Sequence, residues 1–411
     1  MGKFLKILLS IIILIMIGIF SLPFIIDPND YKNEIVSAVE EHTGRQLQIE
    51  GDLKLSVFPW VGIEIGKMTV GNAEGFAEQP FTAIDSASVK IKLLPLISSQ
   101  LEADTITLDG LIVNLAKNPQ GITNWADLMA PTADTNANDN PEKSRQSSNA
   151  AEAGLATLAI GGVSIKNATI NWDDQQLGRQ YQVKDFNLDT GAIFPGTPTD
   201  IDLSMKLNSN APKMSSTVLL QGTVDIASNL SEITVSPFKL AVDAKGDGLP
   251  GQQLQMQLKS SINVNLQELG VQISELLLES GELTLTGDLN VSNLDKAPAI
   301  DGNLAIAPMN LANYLQQLDI ALPPMASNKA LQNFALAARL QSSGNQHNLN
   351  NLKIVLDESN INGSVKQTGS HSDFALQIDQ INLDHYLPPA QAADKQANDK
   401  QTTANPKVAA A

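Results

Sequence analysis

Proton-transfer and metal chemistry need His, Cys, Asp or Glu side chains gathered at defined spacings. The chain has no cysteine and four histidines, His42, His347, His371 and His385. None has a second histidine or a carboxylate at metal-ligand spacing on a recognisable helix. Two acidic pairs, Asp173-Asp174 and Asp357-Glu358, sit at the ends of strand-like runs. Glycosidic chemistry needs two carboxylates across a cleft, whereas neighbouring acids in a turn are usually solvated. Asp134, Asn136 and Asn138 begin like a calcium loop. Asp139 then stands where that loop needs Gly, and Arg145 where it needs a bidentate Glu. There is no GxSxG and no phosphate-binding loop, and Gly161-Gly162 reads as a strand-entry turn. The expectation is a protein that is not an enzyme, with no catalytic residue, no metal and no cofactor.

What the sequence does carry is apolar alternation. In GDLKLSVFPWVGIEIGKMTVGN, residues 51–72, Leu53, Leu55, Val57, Val61, Ile63 and Ile65 share one parity. A period of two marks a half-buried strand, here interrupted at Pro59. After Gly66 the phase slips by one, to Met68 and Val70. Leu254, Met256, Leu258, Ile262, Val264 and Leu266 hold one phase with Ser260 in step, and Leu283, Leu285, Leu289 and Val291 repeat the theme. Similar runs cover Leu203 to Leu207, Val218 to Ile226, Phe334 to Leu340, Leu352 to Leu356 and Phe374 to Ile378. A sheet with one apolar face must cover it with a second sheet, with helices or with ligand. Only Tyr31 to His42, with Asp30 as cap, and Leu311 to Leu318, with Asn310 as cap, read as helices of any length; Asn124 reads as the cap of a last turn at Trp125 to Leu128. These cannot cover so many strands. The expected fold is mainly β: an extended, curved, antiparallel, groove-like sheet of repeating units with a few short helices, preceded by a transmembrane helix. The groove lining is assigned to Leu53, Leu55, Val57, Ile63, Ile65, Leu254, Met256, Leu258, Ile262, Val264, Leu283, Leu285, Leu289 and Val291. Trp60, Trp125 and Trp172 read as packing residues.

The transmembrane assignment rests on Ile7 to Ile26, which runs without a charge. At ~1.5 Å per residue it spans ~30 Å, the thickness of the bilayer hydrocarbon. Its apolar residues are Ile7, Leu8, Leu9, Ile11, Ile12, Ile13, Leu14, Ile15, Ile17, Ile19, Phe20, Phe24, Ile25 and Ile26. The run is longer than a signal-peptide core, and SLPFIID offers no cleavage site. Lys3 and Lys6 place the N-terminus in the cytoplasm and the rest of the chain outside it. The net charge of −17 argues against nucleic acid, which needs a basic field. The chain divides into a stub and anchor at 1–26, a first β domain at 27–129, a polar linker at 130–153, a β-rich domain at 154–389 and a disordered tail at 390–411. A weak repeat, EGDLKLSV, QGTVDIAS, TGDLNVSN, DGNLAIAP and NGSVKQTG, favours stacked hairpins over one compact sandwich.

DPNDYKNEIVSAVEEHTGRQLQIEGDLKLSVFPWVGIEIGKMTVGNAEGF, KIKLLPLIS, LDGLIVNLAKNPQGITNWADL, TGDLNVSNL, APMNLANYLQQL and INLDHYLPP occur in that order. Together they resemble the AsmA family. The resemblance implies an inner-membrane anchor, a periplasmic body and a fold akin to the bridge-like lipid-transfer proteins. It also implies a part in glycerophospholipid traffic to the outer membrane or in outer-membrane assembly. The usual member continues beyond the LDHYLPP-like motif, so this chain reads as shortened at its C-terminus. The expected partners are phospholipid or another acyl-chain ligand, the inner membrane and envelope proteins, without nucleic acid. The alternative is an assembly factor that binds outer-membrane proteins at strand edges, without lipid transfer.

Overall fold

The computed structural model describes residues 27–56, 60–92, 102–129 and 159–389. The expected membrane segment Ile7 to Ile26, Val57, the 130–153 linker and the 390–411 tail lie outside the described residues. Among the described residues no helix is long and apolar enough to cross a membrane.

A 3-10 turn, Pro28–Tyr31, leads into helix α1, Lys32–Thr43. Asp27 caps the 3-10 turn, its carboxylate accepting the Asn29 N–H at 2.9 Å, whereas α1 begins after Tyr31 with no side-chain cap, so Asp30 does not cap it. Pro28 has no N–H to satisfy and suits the turn's first position. Gly44, at φ 67°, ends the helix in the left-handed conformation that a side chain would disfavour. Tyr31 is 57% exposed and Ile35 is exposed as well, while Val36 and Val39 are half-buried.

The first part of the sheet is built from bent strands. β1 (Leu47–Ile49) and β2 (Leu53–Ser56) are two halves of one run, as are β3 (Trp60–Ile65) and β4 (Met68–Val70). β5 (Thr82–Ile84) continues into β6 (Ser86–Lys92); β7 is Glu102–Ala103; β8 (Ile106–Asp109) continues into β9 (Ile112–Lys117). The stretch Leu53 to Val70 is therefore not one strand. Leu53 faces Ile65 and Leu55 faces Ile63 in an antiparallel pair, so the chain reverses between Ser56 and Trp60. Pro59, which cannot donate to a ladder, lies in that interval. The phase slip at Gly66 is a bulge. Gly66 N–H reaches the Asp52 carbonyl at 3.0 Å, while Glu50 and Gly51 both donate to the Lys67 carbonyl. Two residues thus oppose one, the strand bends and its twist increases. Helix α2, Ala126–Met129, follows β9. Asn124 does not cap it. It is fully buried; its Oδ1 accepts Ala116 N–H, and its Nδ2 donates to the Asn114 carbonyl and to Asn72 Oδ1.

The second part is a meander. β10 (Ala159–Ile160) pairs parallel with β7, and β11 (Val163–Asp174) pairs parallel with both β8 and β9. From β11 onward each strand pairs antiparallel with the next: β12 (Arg179–Thr190), β13 (Thr199–Asn210), β14 (Lys213–Ile226), β15 (Glu232–Gly246), β16 (Gln253–Asn265), β17 (Gly270–Ser280), β18 (Leu283–Ser292) and β19 (Ala299–Met309). Helix α3, Leu311–Gln317, interrupts the series, capped as expected by Asn310 Oδ1 on Asn313 N–H at 2.9 Å. Then come β20 (Phe334–Ser343), β21 (Gln346–Leu356), β22 (Ser359–Thr368) and β23 (His371–Ile378). One hydrogen-bonded sheet therefore runs from β1 to β23.

Two features set its shape. Bulges recur on β11, β12, β15, β17, β19 and β21; four of them are marked by left-handed residues, Asn167, Asp185, Glu275 and Asn351. Repeated bulges curl an antiparallel sheet. The second feature is the thin core. Among the described residues only eleven apolar side chains are buried, far too few for two sheets packed face to face over this length. Along β14 and the first half of β16, half-buried and exposed positions alternate instead. The sheet is long, curved and open, with one sheltered face and, among the described residues, no second layer upon it.

Candidate functional site

In a ladder, directly opposed residues project to the same face. Following opposed partners from strand to strand therefore traces one face of the sheet. Leu53 opposes Ile65, which opposes Ala87, then Leu108, Ile165 and Leu188. The line continues through Leu203, Leu220, Leu240, Leu258, Leu278 and Leu285. It ends through Ile306, Leu336, Ile354, Ile361 and Ile378. Every member is aliphatic, and no strand on this path breaks the row. A second row, Val224, Val235, Ile262, Ile273 and Leu289, runs beside it. All the described residues assigned to the lining by alternation fall on this same face, Leu53, Leu55, Ile63 and Ile65 at one end and Leu254 to Val291 in the middle.

The two faces differ in shelter as well as polarity. Leu219 and Leu220 are neighbours on β14, yet Leu219, on the polar face, is 48% exposed and Leu220 is half-buried. Opposite the row, the other face carries Asp202, Gln221, Lys239 and Lys259 in register. The row itself is aliphatic throughout and carries no titratable group. What it can do is remove hydrocarbon from water, at ~0.8 kcal/mol per buried CH₂.

Both ends of the row are held by polar contacts that the sequence did not announce. At the first end, the Asn29 carboxamide brackets Leu53: Oδ1 accepts the Leu53 N–H at 2.9 Å and Nδ2 donates to its carbonyl at 3.1 Å. The chain that follows Ile26 is thus tied directly to the first residue of the row. Nearby, Arg45 is 97% buried under the Phe81 ring, 4.4 Å from its centroid. It donates to both Asp127 oxygens and to the Asn124 carbonyl. At the far end, Asp357 accepts N–H groups from Leu331, Gln332 and Asn333 and the Tyr386 hydroxyl at 2.6 Å. Burial raises the Asp357 pKa, but these four donors outweigh it and hold the carboxyl below its ordinary value. Burial, and then the same hydrogen bond, pushes Tyr386 up to about 12. The Tyr of LDHYLPP is therefore a latch that folds the segment after β23 against the loop before β20. Alternation could not reveal it, because its partner lies 29 residues away.

The row is open at its end. Among the described residues β23 pairs only with β22, and its Phe374, Leu376 and Ile378 are 66%, 49% and 47% exposed. The histidines serve locally: His42 contacts the Ala38 carbonyl, His347 Ser342, His371 Asp373 and His385 Asn382. Among the described residues no group of three metal-ligating side chains is assembled. The acidic pairs do not form a cleft; Asp174, expected to be solvated, is buried, accepting Leu177 N–H with Lys117 3.9 Å away. Trp125 and Trp172 pack together, ring centroids 5.4 Å apart.

No solved structure matches this chain significantly. Among curated proteins, it is 24% identical to Protein AsmA of Escherichia coli (strain K12) over 317 residues, 77% of this chain and 48% of that protein. The chain thus spans about half the length of the curated relative it matches. The AsmA family profile matches residues 1–411, and the chain belongs to the AsmA family.

Proposed function

We propose that this protein is anchored in the inner membrane by Ile7 to Ile26, projects into the periplasm, and carries phospholipid acyl chains along its apolar face in support of outer-membrane lipid supply or assembly. One observation carries the reading: the unbroken aliphatic row from Leu53 to Ile378, on a face that no second layer of the described residues covers. Family membership supports an envelope role. The Asn29–Leu53 tie supports the direction, because it starts the row beside the chain leaving the bilayer. At ~4.8 Å per strand the row is roughly 75 Å along the sheet. An acyl chain lying across several strands finds the same aliphatic contact at each step. Its energy then changes little with position, and movement needs no deep well to be escaped. The headgroup would stay at the open side in water. Net flow would follow the lipid gradient or a partner.

The test is co-purification. Extracted in mild detergent, the wild-type protein should carry phospholipid in stoichiometric amounts by mass spectrometry. Leu285→Asp with Leu289→Asp should lose at least tenfold of it, since one buried carboxylate costs several kcal/mol, while circular dichroism keeps the β signal. Lipid-free wild-type protein would end this reading.

A second reading, a strand-binding assembly factor, is favoured by the unpaired edge of β23 and its exposed Phe374. A client strand would add there through backbone hydrogen bonds. In that case Ser372→Pro, which removes an outward-facing edge donor while the inward-facing N–H groups of β23 stay paired with β22, abolishes client binding, and the double Asp variant does not.

A further inference from the structure

The polar face carries a cavity of a different kind. It lies over β9, β11, β12, β13 and the start of β14, has a volume of about 650 Å³, and is walled on one side by Gln79. That volume is in the range of small-ligand sites. Its floor is a ladder of carboxamides. Asn114 opposes Asn171, Asn171 opposes Gln182, and Gln182 opposes Asn208. Gln182 Nε2 donates to Asn171 Oδ1 at 2.7 Å, Asn171 Nδ2 donates to Asn114 Oδ1 at 2.8 Å, and Asn114 Nδ2 donates to the Pro80 carbonyl at 2.7 Å. Each linked amide uses one N–H, leaving the second free, and the Gln182 oxygen ends the chain without a donor. The Asn208 carboxamide has no hydrogen-bond partner among the described residues. The floor is rigid, because Asn124 clamps both Asn114 and the loop that carries Gln79.

We infer that this cavity binds a saccharide, a short stretch of uncharged, polyhydroxylated glycan. Carboxamides pair a donor and an acceptor side by side, which matches adjacent hydroxyls or an acetamido group. The charged lining residues, Asp173 and Lys213, are one of each sign, so an anion has no basic cluster to meet. An extended peptide would need a free strand edge, and β11, β12 and β13 are paired on both sides. The site is independent of the apolar row, from which it faces away, so either reading can fail alone.

Calorimetric titration of the full chain in detergent with tri-N-acetylchitotriose and with maltotriose tests it, with inorganic phosphate as the control. Saturable binding of at least one trisaccharide, and none of phosphate, is expected. Asn208→Ala and Gln182→Ala should each weaken it about fivefold or more, with the β signal unchanged. A parallel arm pellets the protein with purified cell-wall sacculi. Retention there, competed by the chitotriose, identifies the source as wall glycan; binding of free trisaccharide alone identifies a soluble sugar. No saturable heat with either trisaccharide overturns the proposal. So does undiminished affinity in the Asn208→Ala, Gln182→Ala double variant.

Discussion

Asp357 shows what one carboxylate can hold in place. It takes three backbone N–H groups and one phenol, so Asp357→Ala leaves all four short of an acceptor. Hydrogen bonds to a charged group contribute about 1.5–3 kcal/mol each. Asp357→Ala should cost about 3 kcal/mol or more in urea unfolding, and Tyr386→Phe nearer 1–2 kcal/mol. Limited proteolysis should find residues 379–389 newly cleavable in both. The latch also depends on pH in opposite senses at its two ends. Asp357 is held below its ordinary 3.8, so its contribution is full above that value and fades as pH falls through the lowered one. Tyr386 is raised from 10.0 to about 12, so its share is complete below pH 10 and disappears as pH climbs toward 12. Hydrogen exchange of the Leu331 to Asn333 amides across both ranges measures this. The LDHYLPP motif was visible in the sequence, but its partner was not, because side-chain pairing between distant residues leaves no periodic trace. Asn124 failed for a related reason. An Asn before a short helical turn looks like a cap, and only the surrounding strands show three backbone and side-chain groups waiting for it.

At the scale of elements, the meander was legible because its strands carry apolar residues on one face and say so every second residue. Leu254 to Leu266 reads as one strand for that reason, with Ser260 holding its place in the phase; the strand ends at Asn265, one residue short of Leu266. The bent strands were harder. Gly66 announced a slip, yet nothing local said that Leu53 would face Ile65, since Pro59 is equally compatible with an interruption and a reversal. The repeated Gly of TGDLNVSN and DGNLAIAP has a structural meaning on β18 and β19. A Cβ at Gly287 would meet the Asn303 carbonyl, and one at Gly302 the Asp288 carbonyl. The two backbones approach too closely there for a side chain. Gly302→Val should therefore destabilise by about 1–3 kcal/mol through overpacking and lower the unfolding midpoint. A Val at exposed Gly344 would instead suffer only its left-handed backbone; comparison of the two separates crowding from conformational strain.

At the scale of the molecule, the sheltered face belongs to no single strand. It exists because the register carries one aliphatic position into the next across the whole sheet. Removing a complete pair of strands keeps that parity. Excision of β16 and β17 with their turns would set Leu240 beside Leu285 and shorten the row by about 10 Å, at ~4.8 Å per strand. Such a variant should fold, with a smaller radius by X-ray scattering and proportionately less co-purified lipid; removal of one strand alone should not fold, because it reverses the chain direction. Beyond β11, pairing among the described strands is always with the neighbour in sequence. A polypeptide of that kind can lay down its sheet as it is delivered, each arriving ribbon docking on the last. Its growing margin is then always the youngest residue to arrive, and no earlier portion has to wait for a distant mate.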